Sequence, residues 1–590
     1  MEKNIIMERA REYIAREKDE HFRAEVEELI AADDIKELED CFYRNLEFGT
    51  GGLRGIIGGG YNRINTLMVK SATQGLANYV IKAGRAGPGK DRAGLSAVIA
   101  FDSRHYSAEF AEAAALIFAA NGIRAYLFSD LRPTPELSFA IRFLGCDTGI
   151  VVTASHNPPR YNGYKAYWND GAQVIPPHDT GIIAEVNKVT EIKEMSRKEA
   201  LAAGLLRIID REVDEPYQAM VKGRLFRPDL IRKSSGDVKI VYTPLHGTGA
   251  FHVEKILGDL GLNVITVPEQ REGNGDFPTV AFPNPEEAAA LDMAIKLAAK
   301  ENAGVVMATD PDADRFGIAV RKTSGDYELV TGNQMGVLLA DYIFLSLKES
   351  GKFPPDALMV NTIVTTGMQK ALAASRGVKC VEVLTGFKWI ADIMRRCELT
   401  GEGTFVFGTE ESYGYLVETE VRDKDGISAS ALTAEMTLYW RSRGKSLLDR
   451  LTELYVELGY WQELAISKYF QGPEGPDIMK GIMDEYRKNP PVILGGVKVE
   501  KVRDVLQSVW KTPGSPGPGT PFSDIPKSDV LQFFLEDGTV VSARPSGTEP
   551  KIKFYATCRA GAENGLEEAK AAAGRKLEAI KKDIRGVIGE

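Results

Sequence analysis

The chain has 590 residues, of which 44% are hydrophobic and 26% charged, and a formal net charge of −10. Its length exceeds what one hydrophobic core supports and predicts about four domains, while its composition excludes disordered and fibrous classes. The acidic balance argues against a general nucleic-acid or acidic-membrane binder, which needs a broadly basic surface, yet leaves room for a small anionic substrate held by local Arg and Lys.

In chain order, residues 8–43 carry the apolar spacing of amphipathic helices. The Gly-rich stretch Phe48-Gly-Thr-Gly-Gly-Leu-Arg-Gly55 then interrupts the pattern and reads as a functional loop. Beyond it, short apolar runs alternate with helical segments. Ser96–Phe101 is a strand candidate, Ser107–Ala120 a helix and residues 125–128 another strand, the alternation of α/β layers on a largely parallel or mixed sheet.

The same grammar recurs in Thr148-Gly-Ile-Val-Val-Thr-Ala-Ser155, Val238-Lys-Ile-Val-Tyr-Thr-Pro-Leu-His-Gly247 and Ala303-Gly-Val-Val-Met-Ala-Thr-Asp310. Each is a buried-strand run ending in a polar or Gly-rich turn, where ligands of open α/β sheets gather. Domain boundaries are expected near residues 210, 322 and 460. The expected domains are 1–210, 211–322, 323–460 and 461–590, with the Pro/Gly stretch 512–521 a surface loop of the last.

The five cysteines, Cys41, Cys146, Cys380, Cys397 and Cys558, are scattered and include no C-x-x-C pair, so neither a disulfide framework nor a zinc site is expected. The N-terminal residues lack the apolar core of a signal peptide, and no run is long enough to span a bilayer. A cytoplasmic protein fits these features.

Four segments carry chemistry. Thr153-Ala-Ser-His-Asn-Pro-Pro-Arg-Tyr-Asn-Gly-Tyr-Lys165 follows an apolar strand. Adjacency of Ser155 and His156 does not make a catalytic triad, and the composition equally suits a plain turn. Asp310-Pro-Asp-Ala-Asp-Arg315 gathers three carboxylates on alternate residues, hard oxygen ligands that suit Mg²⁺. An EF-hand is excluded, because Arg315 and Arg321 stand where that loop needs Gly and Glu. In Phe407-Gly-Thr-Glu-Glu-Ser-Tyr-Gly-Tyr415, carboxylates can accept hydrogen bonds from vicinal sugar hydroxyls. Arg544-Pro-Ser-Gly-Thr-Glu-Pro-Lys-Ile-Lys553 offers Arg, Ser, Thr and backbone N–H groups suited to phosphate.

Together and in this order, these motifs resemble the α-D-phosphohexomutase superfamily of phosphoglucomutases and phosphomannomutases, over nearly the whole chain from Gly49 to Tyr555. The resemblance implies an α/β fold of four domains around a central cleft, three similar mixed-sheet domains and a smaller C-terminal α+β domain. It implies a phosphoserine at Ser155 that joins Asp310, Asp312 and Asp314 in holding one Mg²⁺, with Arg54 and Lys165 near the transferring phosphoryl group and Lys165 a candidate general acid/base. Thr385, Gly386 and Lys388 look like the loop that distinguishes the two orientations of the sugar. Arg315, Glu410 and Ser412 would bind the sugar phosphate, and Arg544, Ser546, Gly547, Thr548 and Lys553 the non-reacting phosphate.

The implied reaction interconverts glucose 1-phosphate and glucose 6-phosphate through glucose 1,6-bisphosphate, which also serves as activator. Glu410-Glu-Ser-Tyr-Gly414, the long N-terminal helical region and Leu245-His-Gly-Thr-Gly249 look most like the phosphoglucomutase subgroup that includes enzymes active on pentose phosphates. Phosphomannomutase-type members carry a His shortly after the Glu-x-Ser loop, where this chain has Tyr413 and Tyr415. Lys424 and His156 are therefore both candidates for the second acid/base, His156 being equally readable as a structural loop residue. Phosphopentomutase or phosphomannomutase activity, and net hydrolysis by a sugar-phosphate phosphatase, remain the alternatives. The expected partners are small sugar phosphates, without nucleic acid or membrane, and the expected state is a monomer or weak homodimer.

Overall fold

The computed structural model describes residues 3–49, 51–86, 94–470, 474–515, 517–546 and 551–589. The chain separates into two compact units, one formed by Met1–Thr331, Ala391–Thr400 and Ser412–Tyr439, the other by Gly332–Ile390, Gly401–Glu411 and Trp440–Glu590.

The first unit opens with three helices, Lys3–Arg16, Glu20–Ala31 and Ile35–Phe42. Their apolar stripes close over a small core of Ile6, Tyr13, Val26, Leu38 and Phe42, as the amphipathic spacing predicts. Next comes a six-stranded sheet in the order Gly52–Ile56, Tyr161–Trp168, Thr148–Val152, Ser96–Phe101, Arg124–Phe128, Leu206–Ile209. The last four run parallel to one another and the first two pair antiparallel. Thr148–Val152 is buried along its whole length, because a sheet covered on both faces selects continuous apolar runs rather than alternation. Helices Thr66–Ala86 and Ser107–Ala120 cover it with Leu76, Val80, Phe110, Ala114 and Phe118.

A second sheet in this unit has five strands ordered Tyr327–Val330, Phe316–Arg321, Val305–Thr309, Lys239–Thr243, Asn263–Thr266. Val305–Thr309 is again entirely buried, between a parallel and an antiparallel neighbour. The carboxyl ends of Thr148–Val152 and Val305–Thr309 lead directly into the Ser155 and Asp310 turns.

The second unit holds a parallel trio in which Ala357–Thr362 lies between Lys379–Val383 and Thr404–Glu410. It also holds an antiparallel sheet that begins Tyr460–Tyr469, Lys551–Ala560, Val540–Pro545, Leu531–Leu535, Val497–Asp504. Lys551–Ala560 alternates buried and half-buried residues, the pattern of a sheet covered on one face. Helices Gly475–Lys488 and Leu566–Ile588 supply that cover through Met483, Leu577, Ile580 and Ile584. No helix among the described residues is long and apolar enough to cross a membrane.

Two loop expectations are corrected. Gly52–Ile56 is an edge strand, paired with Tyr161–Trp168 in the register Gly52↔Lys165 and Arg54↔Gly163. The glycines that suggest a loop are there because an edge strand tolerates them where backbones approach closely; a Cβ on Gly52, at φ +138°, would stand 1.8 Å from Tyr164 O. By the same pairing Lys165 lies on a strand, not in the polar loop that precedes it. In the stretch 512–521, Thr520–Pro521 pairs with Val509–Lys511 as a short hairpin, and Pro516 lies outside the described residues.

Gly163 is pinched between two strands, and a Cβ there would lie 2.5 Å from Thr153 O and 2.9 Å from Leu53 O. Backbone atoms cannot yield as a side chain can, so Gly163→Ala is expected to destabilise the first unit by about 2 kcal/mol or more, as overpacking does. A thermal melt with an unchanged midpoint would contradict this packing.

Candidate active site

Strand Thr148–Val152 ends in Thr153-Ala-Ser155, where Ser155 takes the left-handed conformation at φ 51°. Non-glycine residues there cost free energy and persist only where their surroundings hold them. Ser155 N donates to Thr153 Oγ1 at 2.8 Å, and Thr153 Oγ1 donates to Asp102 Oδ2 at 2.6 Å. The Arg104 guanidinium donates to Pro158 O and Tyr161 O at 3.0 Å each, and also to Ser155 O and Asn157 O. Its Nε lies 3.3 Å from Asp102 Oδ2, both side chains being fully enclosed. Burial pushes the Asp102 carboxyl up and the Arg104 guanidinium down, each against its partner's charge. One planar fork thus fixes four carbonyls of the serine loop.

Strand Val305–Thr309 delivers Asp310, Asp312 and Asp314, all buried, with carboxylate oxygens within 4.8 Å of one another. Ala313 between them is left-handed at φ 50°, which turns the alternate carboxylates inward. Asp310 Oδ2 accepts from Ser155 Oγ at 2.6 Å and Asp310 Oδ1 from Arg315 N at 3.0 Å. Asp312 Oδ2 accepts from Lys165 Nζ at 2.7 Å and from Thr134 Oγ1 at 2.8 Å. Asp314 Oδ2 lies 3.2 Å from both Lys165 Nζ and Lys424 Nζ.

Three consecutive carbonyls of this loop are each held by a different segment. Pro311 O accepts from Thr248 N at 2.8 Å, Asp312 O from Thr134 N at 2.9 Å and Ala313 O from Gly426 N at 3.1 Å. Gly247 approaches so closely that a Cβ there would stand 2.3 Å from Pro311 Cα.

Burial and the neighbouring Asp312 and Asp314 push the Asp310 carboxyl well up. Burial opposes ionisation of Asp314 as well, but Lys165, Lys424 and Arg315 hold it well below the usual carboxylate range. Asp312 Oδ1 and Asp314 Oδ1 are buried without a hydrogen-bond partner among the described residues. Most buried polar atoms are hydrogen-bonded, and here two orphaned carboxylate oxygens fall in one cluster. Two orphaned anionic oxygens beside a third carboxylate form the hard donor set of a divalent cation such as Mg²⁺, so the residues fit that ion.

The remaining sequence candidates of this unit lie on its strands and turns. His156 Nδ1 lies 3.2 Å from Ser155 Oγ, and burial, with Arg315 and Arg54, drives the ring well below its ordinary value, leaving it neutral near pH 7. Arg54 and Lys165 share one face of their strand pair, by the register Gly52↔Lys165 and Arg54↔Gly163. Arg315 Nη1 donates to Glu286 Oε1 at 2.6 Å. Lys424 Nζ also meets Asp423 Oδ1 at 3.0 Å, and Asp423 Oδ2 accepts from Tyr167 Oη at 2.7 Å. Ser412 lies in the turn after Thr404–Glu410.

In the second unit Gly386 N donates to Glu410 Oε1 at 2.8 Å, which brings Thr385-Gly386 to Glu410. Lys388 Nζ stands 5.6 Å over the Trp389 ring. Arg544 and Lys553 are cross-strand partners of one hairpin, at whose tip Ser546 N donates to Lys551 O at 2.7 Å. Gly547 and Thr548 lie outside the described residues.

Asp102, Arg104 and Thr134 are functional-site neighbours that the motif reading missed. Asp102-Ser-Arg104 carries the same signal as the recognised motifs, a polar turn at the carboxyl end of an apolar strand, here Ser96–Phe101.

Four segments match the phosphoglucomutase/phosphomannomutase family. Residues 45–193 match its alpha/beta/alpha domain I, 215–325 its domain II, 331–458 its domain III and 492–575 its C-terminal domain. A protein of Schizosaccharomyces pombe named "Probable phosphoribomutase" is 37% identical, over 98% of this chain and 97% of its own length. A Staphylococcus epidermidis phosphoglucomutase is 36% identical, over 88% of this chain and 92% of its own. The open form of pp63/parafusin from Paramecium shares the fold, with a TM-score of 0.68 at 17% identity over 93% of this chain and 96% of that one. With all four domains matched and close relatives along almost its entire length, the chain belongs to the phosphoglucomutase/phosphomannomutase family and is an intramolecular phosphotransferase of the phosphohexomutase and phosphopentomutase type.

Proposed function

We propose that the protein interconverts glucose 1-phosphate and glucose 6-phosphate in the cytoplasm through a phosphoserine at Ser155, with glucose 1,6-bisphosphate as intermediate and activator. The observation that carries this reading is Ser155 Oγ at 2.6 Å from Asp310 Oδ2, in a buried cluster where Lys165 and Lys424 face the other two aspartates. Five free cysteines accord with a reducing compartment.

Phospho-Ser155 passes its phosphoryl group to the sugar's free terminal hydroxyl. The Oγ–P bond breaks, a bond from phosphorus to the sugar oxygen forms, and the hydroxyl proton goes to a base. The bisphosphate turns about, the bond between phosphorus and O1 breaks as Ser155 Oγ recovers a phosphoryl group, and a proton is delivered to O1. Asp310, Asp312 and Asp314, with the phosphate on Ser155, would hold Mg²⁺, which supplies Lewis acidity and neutralises charge on the phosphoryl oxygens.

Burial alone would lower Lys165, but Asp312 and Asp314 raise it, so it carries a proton for the departing oxygen and positive charge for the equatorial ones. Arg54, on the same face, adds charge there. His156, with Nδ1 3.2 Å from Ser155 Oγ, is the candidate for the second acid/base by position; Lys424, held by Asp314 and Asp423, contributes charge instead. Thr385, Gly386, Lys388, Glu410, Ser412 and Arg315 orient the sugar, while Arg544, Ser546, Gly547, Thr548 and Lys553 hold the distal phosphate.

A second reading, the pentose mutase, is favoured by the Schizosaccharomyces pombe relative, whose name specifies a ribose phosphate and whose match covers 98% of this chain. Initial rates on glucose 1-phosphate and ribose 1-phosphate, measured in parallel with Mg²⁺ and catalytic glucose 1,6-bisphosphate, separate the two. A preference for glucose is expected, and a preference for ribose would transfer the assignment to the pentose.

Ser155→Ala is expected to lower kcat by more than about 10³-fold and to remove an 80 Da modification from the intact mass, about that of one phosphoryl group. Turnover retained by that variant would end the phosphoserine mechanism. Mg²⁺ at about 100 times its dissociation constant should stabilise the folded chain by about 2.7 kcal/mol, and Asp312→Asn should abolish that rise in Tm. A melt indifferent to Mg²⁺ in the unsubstituted protein would remove the cation from the three aspartates.

A further inference from the structure

We propose that Thr134 is a positioning residue for the cation site, holding Asp312 by side chain and main chain at once so that its orphaned oxygen keeps facing the ion. This rests on the reading of the three aspartates as a divalent-cation site. Thr134 is fully buried and is the first residue of helix Thr134–Leu144, which Pro133 caps and Pro135 stiffens in its opening turn. Its N–H is one of the donors a helix start leaves without an internal acceptor, and it goes to Asp312 O at 2.9 Å. Its hydroxyl goes to Asp312 Oδ2 at 2.8 Å. The two bonds fix the Asp312 backbone and the rotation of its carboxylate, whose other oxygen, Oδ1, is buried without a hydrogen-bond partner among the described residues.

Lys165 Nζ reaches the same Oδ2 at 2.7 Å, but its three donors are shared with Asp314 Oδ2 at 3.2 Å and, in the proposed reaction, with a phosphoryl oxygen. Thr134 has no such second task.

The helix that carries Thr134 is itself anchored. Glu136 Oε2 meets His252 Nε2 at 2.7 Å inside the protein, and Ser138 Oγ donates to Gly171 O at 2.6 Å while accepting from Arg422 N at 2.8 Å. Arg132, just ahead of the helix, pairs with Asp214 at 2.8 Å and 3.0 Å. Thr134 therefore presents its hydroxyl from a fixed frame, as an outer-shell partner must if it is to tune a ligand.

The test is Mn²⁺ binding by isothermal titration calorimetry on the full chain, comparing the unsubstituted protein with Thr134→Val and Thr134→Ser. Valine keeps the shape and the N–H but loses the hydroxyl, and it is expected to weaken Mn²⁺ by about 10- to 100-fold. Serine is expected to restore binding close to the unsubstituted value. The Mg²⁺ concentration for half-maximal turnover should move with the Kd, while KM for sugar phosphate at saturating Mg²⁺ stays put. If the valine variant shows no cooperative melt, Thr134→Ala repeats the comparison without a branched side chain. Equal Mn²⁺ affinity in the hydroxyl-less variant and the unsubstituted chain overturns the role of Thr134 alone. Absence of Mn²⁺ binding in the unsubstituted chain overturns the cation site, and this inference with it.

Discussion

Three carboxylates brought within 4.8 Å of one another in a buried turn form the constraint on which the first unit depends. Mutual repulsion and lost hydration both oppose such a cluster. The protein answers with two lysines, two hydroxyls and a backbone N–H, which between them meet four of the six oxygens and leave Asp312 Oδ1 and Asp314 Oδ1 unmatched. Two unmatched carboxylate oxygens beside a third carboxylate suit a small hard cation.

The serine loop solves a different problem with the same economy. A tight turn at a strand end exposes several carbonyls in one direction, and Arg104 meets four of them with a single rigid group. Its charge is in turn matched by Asp102, which also receives Thr153 and Ser107. Serine placement is therefore set by groups in the turn that follows Ser96–Phe101, the neighbouring strand of the same sheet.

Much of this was legible in the sequence, for reasons that differ by residue. Thr148–Val152 and Val305–Thr309 are continuous apolar runs because their sheets are buried on both faces, and the polar turns that follow stand out by contrast. Helix Ser107–Ala120 was readable from its Ala-rich periodicity. Strand Gly52–Ile56 was not, since its glycines answer to Tyr161–Trp168, a partner far away in the chain. Thr134 escapes notice on similar grounds: a threonine between two prolines reads as a helix start, and only the approach of Asp312 gives its hydroxyl a task. Local chemistry announces itself in spacing, whereas support from distant segments becomes visible only once the chain is folded.

The ladder of carbonyls at Pro311, Asp312 and Ala313 has a bearing on where the acidic turn gets its shape. Their three donors, Thr248, Thr134 and Gly426, come from widely separated stretches of the chain. Closing loops of that length costs chain entropy before the contacts are gained. The acidic turn has its final shape only with all three stretches docked, so the geometry of its carboxylates is a property of the tertiary structure and not of the local turn.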